Sequence, residues 1–144
     1  MKFLLNPINL KGKKVALCGE LGAGKTYFVR NWLREQGVNE DVPSPTFSLV
    51  QQYSLKDKCL VSHWDLYRLT KIPDDFWFDD ADTVFIEWAD KFPECYKIID
   101  IFLFFSLLED GNRVSFGFEK GVRIPYSAVG FRQTANGLQR DGER

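Results

Sequence analysis

The sequence predicts a single α/β domain with a mixed central sheet, antiparallel hairpins and flanking helices. Short apolar runs bounded by polar turn residues recur along the chain, as expected of buried strands. One of these runs leads through a glycine-rich loop into a helix-compatible stretch, which is the order of elements in an α/β unit. The chain has 144 residues, of which 44% are hydrophobic and 27% charged, and these are the values of one globular domain.

The first predicted strand, Lys14–Cys18, leads into the segment Gly19–Thr26, whose sequence GELGAGKT matches G-x-x-x-x-G-K-[ST]. In this phosphate-binding loop, glycines let backbone N–H groups surround phosphate oxygens at the start of a helix. We therefore predict a P-loop NTPase-like domain, in which Lys25 reaches the β- and γ-phosphates and Thr26 ligates Mg²⁺. The alternative is an ordinary glycine-rich turn. The predicted nucleotide-binding residues of the loop are Glu20, Leu21, Gly22, Ala23, Gly24, Lys25 and Thr26.

The remaining elements follow in order. The helix after the loop is expected to run to about Gln36, with Gly37 as its stop. Apolar runs predict two antiparallel hairpins, the second around an Asp-Gly turn, with a separate buried strand between them. These predicted strands are 46–53, 59–64, 83–87, 98–108 and 113–118.

Composition and residue spacing limit the possible organisation of the rest of the chain. We expect residues 1–120 to form the P-loop domain and the polar residues 121–144 to form a poorly ordered tail. The longest apolar run, 98–108, is too short to cross a bilayer, and the apolar run at the N-terminus is too short for a signal peptide. The cysteines, residues 18, 59 and 95, lack metal-site spacing and are expected to be reduced thiols. A cytoplasmic protein is therefore expected.

Two carboxylates follow predicted strands. Hydrolysis of a bound nucleotide needs a carboxylate that positions the metal and a group that orients the attacking water. Asp65 closes the run 60–65 and Glu87 closes the run 84–87. Because α/β folds place ligand groups at the carboxyl ends of strands, both are candidate catalytic residues and metal ligands. In one assignment Asp65 holds Mg²⁺ and Glu87 polarises the water; the strands are also compatible with the reverse.

The segment Val42–Phe47 follows the first helix, where many P-loop NTPases have a switch that senses the γ-phosphate. Thr46 is the candidate residue of this switch, and Ser44 is its neighbour. The alternative is a proline-stiffened loop that leads into a strand.

Three further side chains are candidates near the nucleotide. His63, the only histidine, alternates to the same side of its strand as Asp65; the alternative is a structural core histidine. Arg68 is placed to reach a phosphate or a partner carboxylate, or else forms a surface ion pair. Trp88, next to Glu87, is close enough to report nucleotide occupancy, or else only packs.

Together, four motifs resemble the TsaE family, the small P-loop ATPases of bacterial tRNA threonylcarbamoyladenosine biosynthesis. They occur in the order found in that family and within residues 13–118. The four are Gly19–Thr26, Ser44–Phe47, His63–Leu69 and Ile86–Trp88.

The resemblance implies an ATPase that uses ATP and Mg²⁺ and is weak alone. It would act on the TsaB–TsaD heterodimer, which attaches threonylcarbamoyl to the adenosine beside the tRNA anticodon. The resemblance assigns Lys25 and Thr26 to phosphate and Mg²⁺, Asp65 to the metal and Glu87 to hydrolysis. It also implies functional roles for the following residues: Thr46, His63, Tyr67, Arg68 and Trp88.

The charge of the chain bears on its partners. A net charge of −1 argues against direct coating of nucleic acid, which needs a basic face. We therefore expect the chain to associate with tRNA indirectly, through the TsaB–TsaD complex, and to have no DNA or membrane partner.

Two other functions stay open. The first is a P-loop small-molecule kinase, but its only candidate lid, residues 71–82, contains no arginine. The second is a nucleotide-gated adaptor without significant turnover. A GTPase is disfavoured, since no Asn-Lys-x-Asp guanine motif occurs.

Overall fold

Four neighbouring parallel strands form the centre of the sheet, and their residues are mostly buried on both faces. The structure is a computed structural model that describes residues 9–39, 49–107 and 109 and the backbone of the later strands. The helices are α1 (Lys25–Glu35) and α2 (Asp74–Trp77), and two 3-10 turns span Ala89–Lys91 and Pro93–Ile98. The strands are β1 (Lys14–Gly19), β2 (Val50–Ser54), β3 (Leu60–Asp65), β4 (Thr83–Glu87), β5 (Ile101–Leu107), β6 (Arg113–Glu119), β7 (Val122–Ile124), β8 (Phe131–Thr134) and β9 (Gly137–Arg140).

The strand order is β2-β3-β4-β1-β5-β6-β8-β9, with β7 also paired to β6. Strands β3, β4, β1 and β5 are parallel to their neighbours within this group. The pairs β2–β3 and β5–β6 are antiparallel, so both predicted hairpins are present. The α/β class with a mixed sheet and antiparallel hairpins is therefore confirmed.

Each face of the sheet carries its own apolar core. On one face, α1 buries four side chains in an amphipathic pattern: Phe28, Val29, Trp32 and Leu33. The Trp32 ring meets the fully buried Phe85 edge-on, with the ring centroids 5.0 Å apart. On the other face, Phe76 of α2 and Cys95 of the second 3-10 turn pack against β3 and β4. The loop that joins β1 to α1 thus opens at the carboxyl edge of the parallel strands.

Gly19, the last residue of β1, lies too close to β5 for any side chain. A Cβ added there would lie 2.5 Å from the carbonyl oxygen of Phe105, and the φ of Gly19 is +152°. We expect Gly19→Ala to lower the free energy of unfolding by on the order of 3 kcal/mol, because the strands must separate and the backbone is strained. Urea denaturation measures this loss.

Gly12→Ala is the matched control for Gly19→Ala. Gly12 also has a positive φ, +79°, but a Cβ there would meet no atom of the described residues within 4 Å. Its loss is expected to be about 1 kcal/mol, from backbone strain alone. Equal losses in the two variants would show that the contact with β5 contributes nothing.

The observed elements depart from the predicted ones at two places that matter for the fold. Strand β5 begins at Ile101 and not at residue 98, because the chain first makes the 3-10 turn Pro93–Ile98. The helix α2 lies in a segment for which we predicted no helix. The strands β7, β8 and β9 lie within the segment 121–144. The division of the chain into a domain and a tail stays a prediction.

All three cysteines are free thiols, as predicted. Burial raises the pKa of Cys18 to about 12 and that of Cys95 to about 11. Both therefore act as small apolar core groups.

Among the described residues, no helix has the length and apolar character needed to cross a membrane.

Candidate functional site

The loop between β1 and α1 leaves the start of the helix uncovered. Gly22 and Gly24 have φ of +79° and +107°, left-handed values that glycine adopts without steric cost. Gly24 immediately precedes α1, and no side chain of the described residues caps this helix. An uncapped helix start presents N–H groups and a partial positive charge, so the loop is suited to an anion.

Lys25, the first residue of α1, is buried beneath this loop, with 5% of its surface exposed. Its Nζ donates hydrogen bonds to the carbonyl oxygens of Gly19 and Glu20. The same atom lies 3.9 Å from the centroid of the Trp88 ring. Burial lowers the pKa of the Lys25 ammonium, against the opposing effect of Glu87 and other carboxylates. Because its hydrogen-bond acceptors are neutral, an anionic oxygen would be a stronger partner for it.

Thr26, Glu87 and His63 form a chain of hydrogen bonds that leads from the loop into the core. The Thr26 hydroxyl donates to the Glu87 carboxylate, with Oγ1 2.8 Å from Oε2 and 3.1 Å from Oε1. Nε2 of His63 lies 2.5 Å from the same Oε2 atom. Glu87 is 3% exposed and His63 is fully buried. Two different elements therefore hold one carboxylate in place.

Asp65 and Glu87 end adjacent parallel strands at the same level. The register pairs Asp65 of β3 with Glu87 of β4, and Glu87 with Leu17 of β1. Asp65 is largely buried, and its Oδ1 accepts a hydrogen bond of 2.9 Å from the backbone N–H of Tyr67. The two carboxylates thus meet beside the loop, as the common carboxyl edge of parallel strands requires.

These side chains adjoin one cleft of about 520 Å³. Trp88 follows Glu87 with a left-handed φ of +66°, which turns the chain where β4 ends. Its ring packs against Tyr67 in a tilted arrangement, with the ring centroids 4.7 Å apart and the ring planes at 46°. The lining residues are Leu21, Gly22, Ala23, Gly24, Lys25, Thr26, Tyr27, Arg30, Asp65, Tyr67, Arg68, Glu87 and Trp88.

Most of the predicted site residues therefore lie together. Glu20 lies outside the lining of the cleft, and its Oε1 accepts a hydrogen bond of 3.1 Å from the backbone N–H of Leu107. His63 lies behind Glu87 and contributes no surface to the cleft. Ser44 and Thr46 fall outside the described residues.

The sequence reasoning missed two residues of the cleft, Tyr27 and Arg30. Arg30 lies four residues after Thr26 on α1, and this spacing places both side chains on one face of the helix. That signal was present in the sequence. An arginine there adds a positive charge to a cleft that already contains Lys25 and Arg68.

Comparisons with known proteins agree on one family. The sequence model described as "Threonylcarbamoyl adenosine biosynthesis protein TsaE" matches residues 3–113. The tRNA threonylcarbamoyladenosine biosynthesis protein TsaE of Haemophilus influenzae is 32% identical over 111 residues, which cover 72% of this chain and 69% of that protein. The protein of the same name from Aquifex aeolicus is 38% identical over 112 residues, which cover 72% and 76% of the two chains.

The fold comparison points the same way. The crystal structure of Bacillus subtilis YdiB superposes with a TM-score of 0.57 and 25% sequence identity, over 74% of this chain and 68% of that chain. The family match covers well over half of the chain and contains the loop, both strand-end carboxylates and the Trp88 turn. The chain therefore belongs to the TsaE family of threonylcarbamoyl adenosine biosynthesis proteins.

Proposed function

We propose that the chain is a Mg²⁺-dependent ATPase that supports threonylcarbamoylation of the adenosine next to the tRNA anticodon by acting on the TsaB–TsaD complex. Membership of the TsaE family supports the pathway. The observation that carries the enzymatic part is the Thr26–Glu87 hydrogen bond, in a cleft that also contains Lys25. A phosphate-binding lysine, a metal-binding hydroxyl and a strand-end carboxylate are the parts that nucleotide hydrolysis requires.

The loop fits a nucleoside triphosphate in shape and charge. The left-handed Gly22 and Gly24 would not tolerate side chains without strain, and they leave room for phosphate beside the start of α1. Within the described part of the chain, the Lys25 ammonium contacts two carbonyl oxygens and a ring. Phosphate oxygens would replace these with charge-assisted hydrogen bonds, and their negative charge would raise the lowered pKa of Lys25.

The donor set also fits Mg²⁺. The described residues contain no cluster of three or more His, Cys, Asp and Glu side chains able to hold a metal by themselves. Mg²⁺ at phosphate sites does not need one, since it takes one or two protein oxygens together with phosphates and water. The Thr26 hydroxyl and the carboxylates of Asp65 and Glu87 are such oxygens. When bound, the metal would neutralise charge on the phosphates.

The two carboxylates receive different roles in this proposal. Asp65 serves the metal, directly or through water, and Glu87 orients the water that attacks the γ-phosphate. The exchange of these roles is the alternative, and the direct contact between Glu87 and the Thr26 hydroxyl favours it. In both versions Lys25 stabilises the charge on the phosphates, and Trp88 forms a wall of the cleft beside Lys25.

The kinase and adaptor alternatives have less support. Residues 71–82, which a kinase of this size would need as a lid, contribute nothing to the lining of the cleft. An adaptor without turnover would not need a residue that orients water, which is the role proposed here for Glu87. We propose that tRNA is met through the partner complex, since the net charge of −1 does not suit direct binding.

The test is ATP hydrolysis by the purified chain, alone and with its cognate TsaB–TsaD complex. We expect slow turnover alone, none without Mg²⁺, and clear stimulation by the complex. ATP binding with negligible turnover in every condition would favour the adaptor. Phosphate on a small-molecule acceptor would favour the kinase.

A further inference from the structure

His63 makes a buried contact that the proposed reaction leaves unexplained. It is completely buried, and it pairs in register with Gln51 of β2 and Phe85 of β4, so strands flank it on both sides. A side chain on such a strand has little freedom to move. His63 does not line the cleft, so among the described residues its link to a bound ligand passes through Glu87.

The contact defines which imidazole nitrogen carries the hydrogen. With the Glu87 carboxylate as acceptor, the 2.5 Å contact requires a hydrogen on Nε2 of His63. Nδ1 is buried and has no hydrogen-bond partner among the described residues. A bare nitrogen is tolerated there better than an unpaired N–H, which agrees with the same tautomer.

The geometry of the carboxylate explains what the contact does. Both donors, Thr26 and His63, bond to Oε2 of Glu87, and Thr26 also reaches Oε1. Thr26 adjoins the cleft, where a ligand would compete for its hydroxyl. The bond from His63 comes from the core and is out of reach of any ligand. The hydrogen bond from His63 therefore still restrains the Glu87 carboxylate when a ligand occupies the cleft.

We propose that His63 is a positioning residue, which fixes the rotation of the Glu87 carboxylate so that Glu87 faces the nucleotide in the orientation needed for hydrolysis. This proposal rests on the proposed ATPase function. A core histidine with a purely structural role would stabilise the fold without affecting how Glu87 acts. The two roles predict different turnover for a folded variant that loses the hydrogen-bond donor at the position of Nε2.

Two amide variants separate these roles. In His63→Gln the side-chain amide nitrogen takes the place of Nε2, whereas in His63→Asn the shorter side chain places it near Nδ1 and too far from Glu87. We expect His63→Asn to lower kcat of ATP hydrolysis by about 10- to 100-fold with little change in KM. Losses of this size are typical when a residue that orients a functional side chain through a hydrogen bond is removed. His63→Gln is expected to keep most of the wild-type kcat.

A second measurement does not depend on turnover. His63 is the only histidine of the chain, so its imidazole ¹⁵N and ¹H NMR signals need no assignment by mutation. We expect the spectrum of the Nε2–H tautomer, with a slowly exchanging, strongly downfield proton. Glu87→Ala is expected to shift that proton upfield, since its acceptor is removed.

Each outcome decides the proposal. An Nδ1–H tautomer, or a proton that Glu87→Ala leaves unchanged, would overturn it. Equal kcat in the Gln and Asn variants would also overturn it, and so would losses of kcat that track only the thermal midpoint of unfolding. If wild-type protein neither binds nor hydrolyses ATP, the proposed function fails, and with it the role of His63 in hydrolysis. The NMR signal would then still show whether the contact itself is formed.

Discussion

Glu87→Ala is expected to lower ATP turnover by about 100- to 1,000-fold, the usual cost of removing one group that acts in the transition state. ATP should still bind, since Lys25 and the glycine loop are intact. The reason is the position of Glu87, which ends β4 beside the loop, is almost fully buried and is held by Thr26 and His63. Steady-state hydrolysis together with direct ATP titration measures both effects.

Two matched variants complete the Glu87 experiment. Glu94→Ala removes an exposed carboxylate from the second 3-10 turn and should leave turnover unchanged. Glu87→Gln keeps a hydrogen-bond acceptor for Thr26 and His63, so it should fold like wild type but hydrolyse ATP poorly. Normal hydrolysis by Glu87→Ala would show that the catalytic assignment is wrong. Turnover restored by high Mg²⁺ would assign Glu87 to the metal and support the exchanged roles.

Lys25→Ala is expected to weaken ATP binding and hydrolysis together. A charge-assisted hydrogen bond contributes about 1.5–3 kcal/mol, so the dissociation constant for ATP should rise about 10- to 150-fold. Turnover should fall as well, because the ammonium also faces the charge that develops on the phosphates. The loss in kcat/KM should therefore exceed the loss in affinity. Titration with ATP and steady-state kinetics separate the two.

Lys56→Ala is the control for the Lys25 variant. Lys56 is an exposed lysine in the turn between β2 and β3, so its removal changes the net charge by the same amount away from the cleft. It should leave binding and turnover unchanged. If Lys25→Ala bound ATP with wild-type affinity, the loop would not be the phosphate site.

The local parts of the site could be predicted from the sequence because they lie within one loop. The residues Gly19–Thr26 are contiguous, and the spacing of glycines, lysine and threonine already specifies a turn that leads into a helix. The strands that end in Asp65 and Glu87 could be predicted for a similar reason. Buried parallel strands are mostly apolar, so a carboxylate at the end of such a run stands out.

Other elements could not be predicted because their local signal is weak. The helix α2 has four residues, fewer than a periodic pattern needs in order to be recognised. The strands β7, β8 and β9 have three or four residues in a polar segment, and pairing with β6 or with each other defines them. Only a neighbouring strand could reveal them, since a strand of this length has no stability of its own.

The sequence alone determined the α/β class, the glycine-rich loop that leads into α1 and the two strand-end carboxylates. Only the tertiary structure decided which groups meet. Parallel pairing of β3, β4 and β1 brings Glu87 to Thr26 across 61 positions of sequence, and His63 to Glu87 across 24. No periodicity encodes such contacts, because they depend on strand order and register. Strand order and register depend on how the whole sheet buries its apolar side chains and not on any one segment.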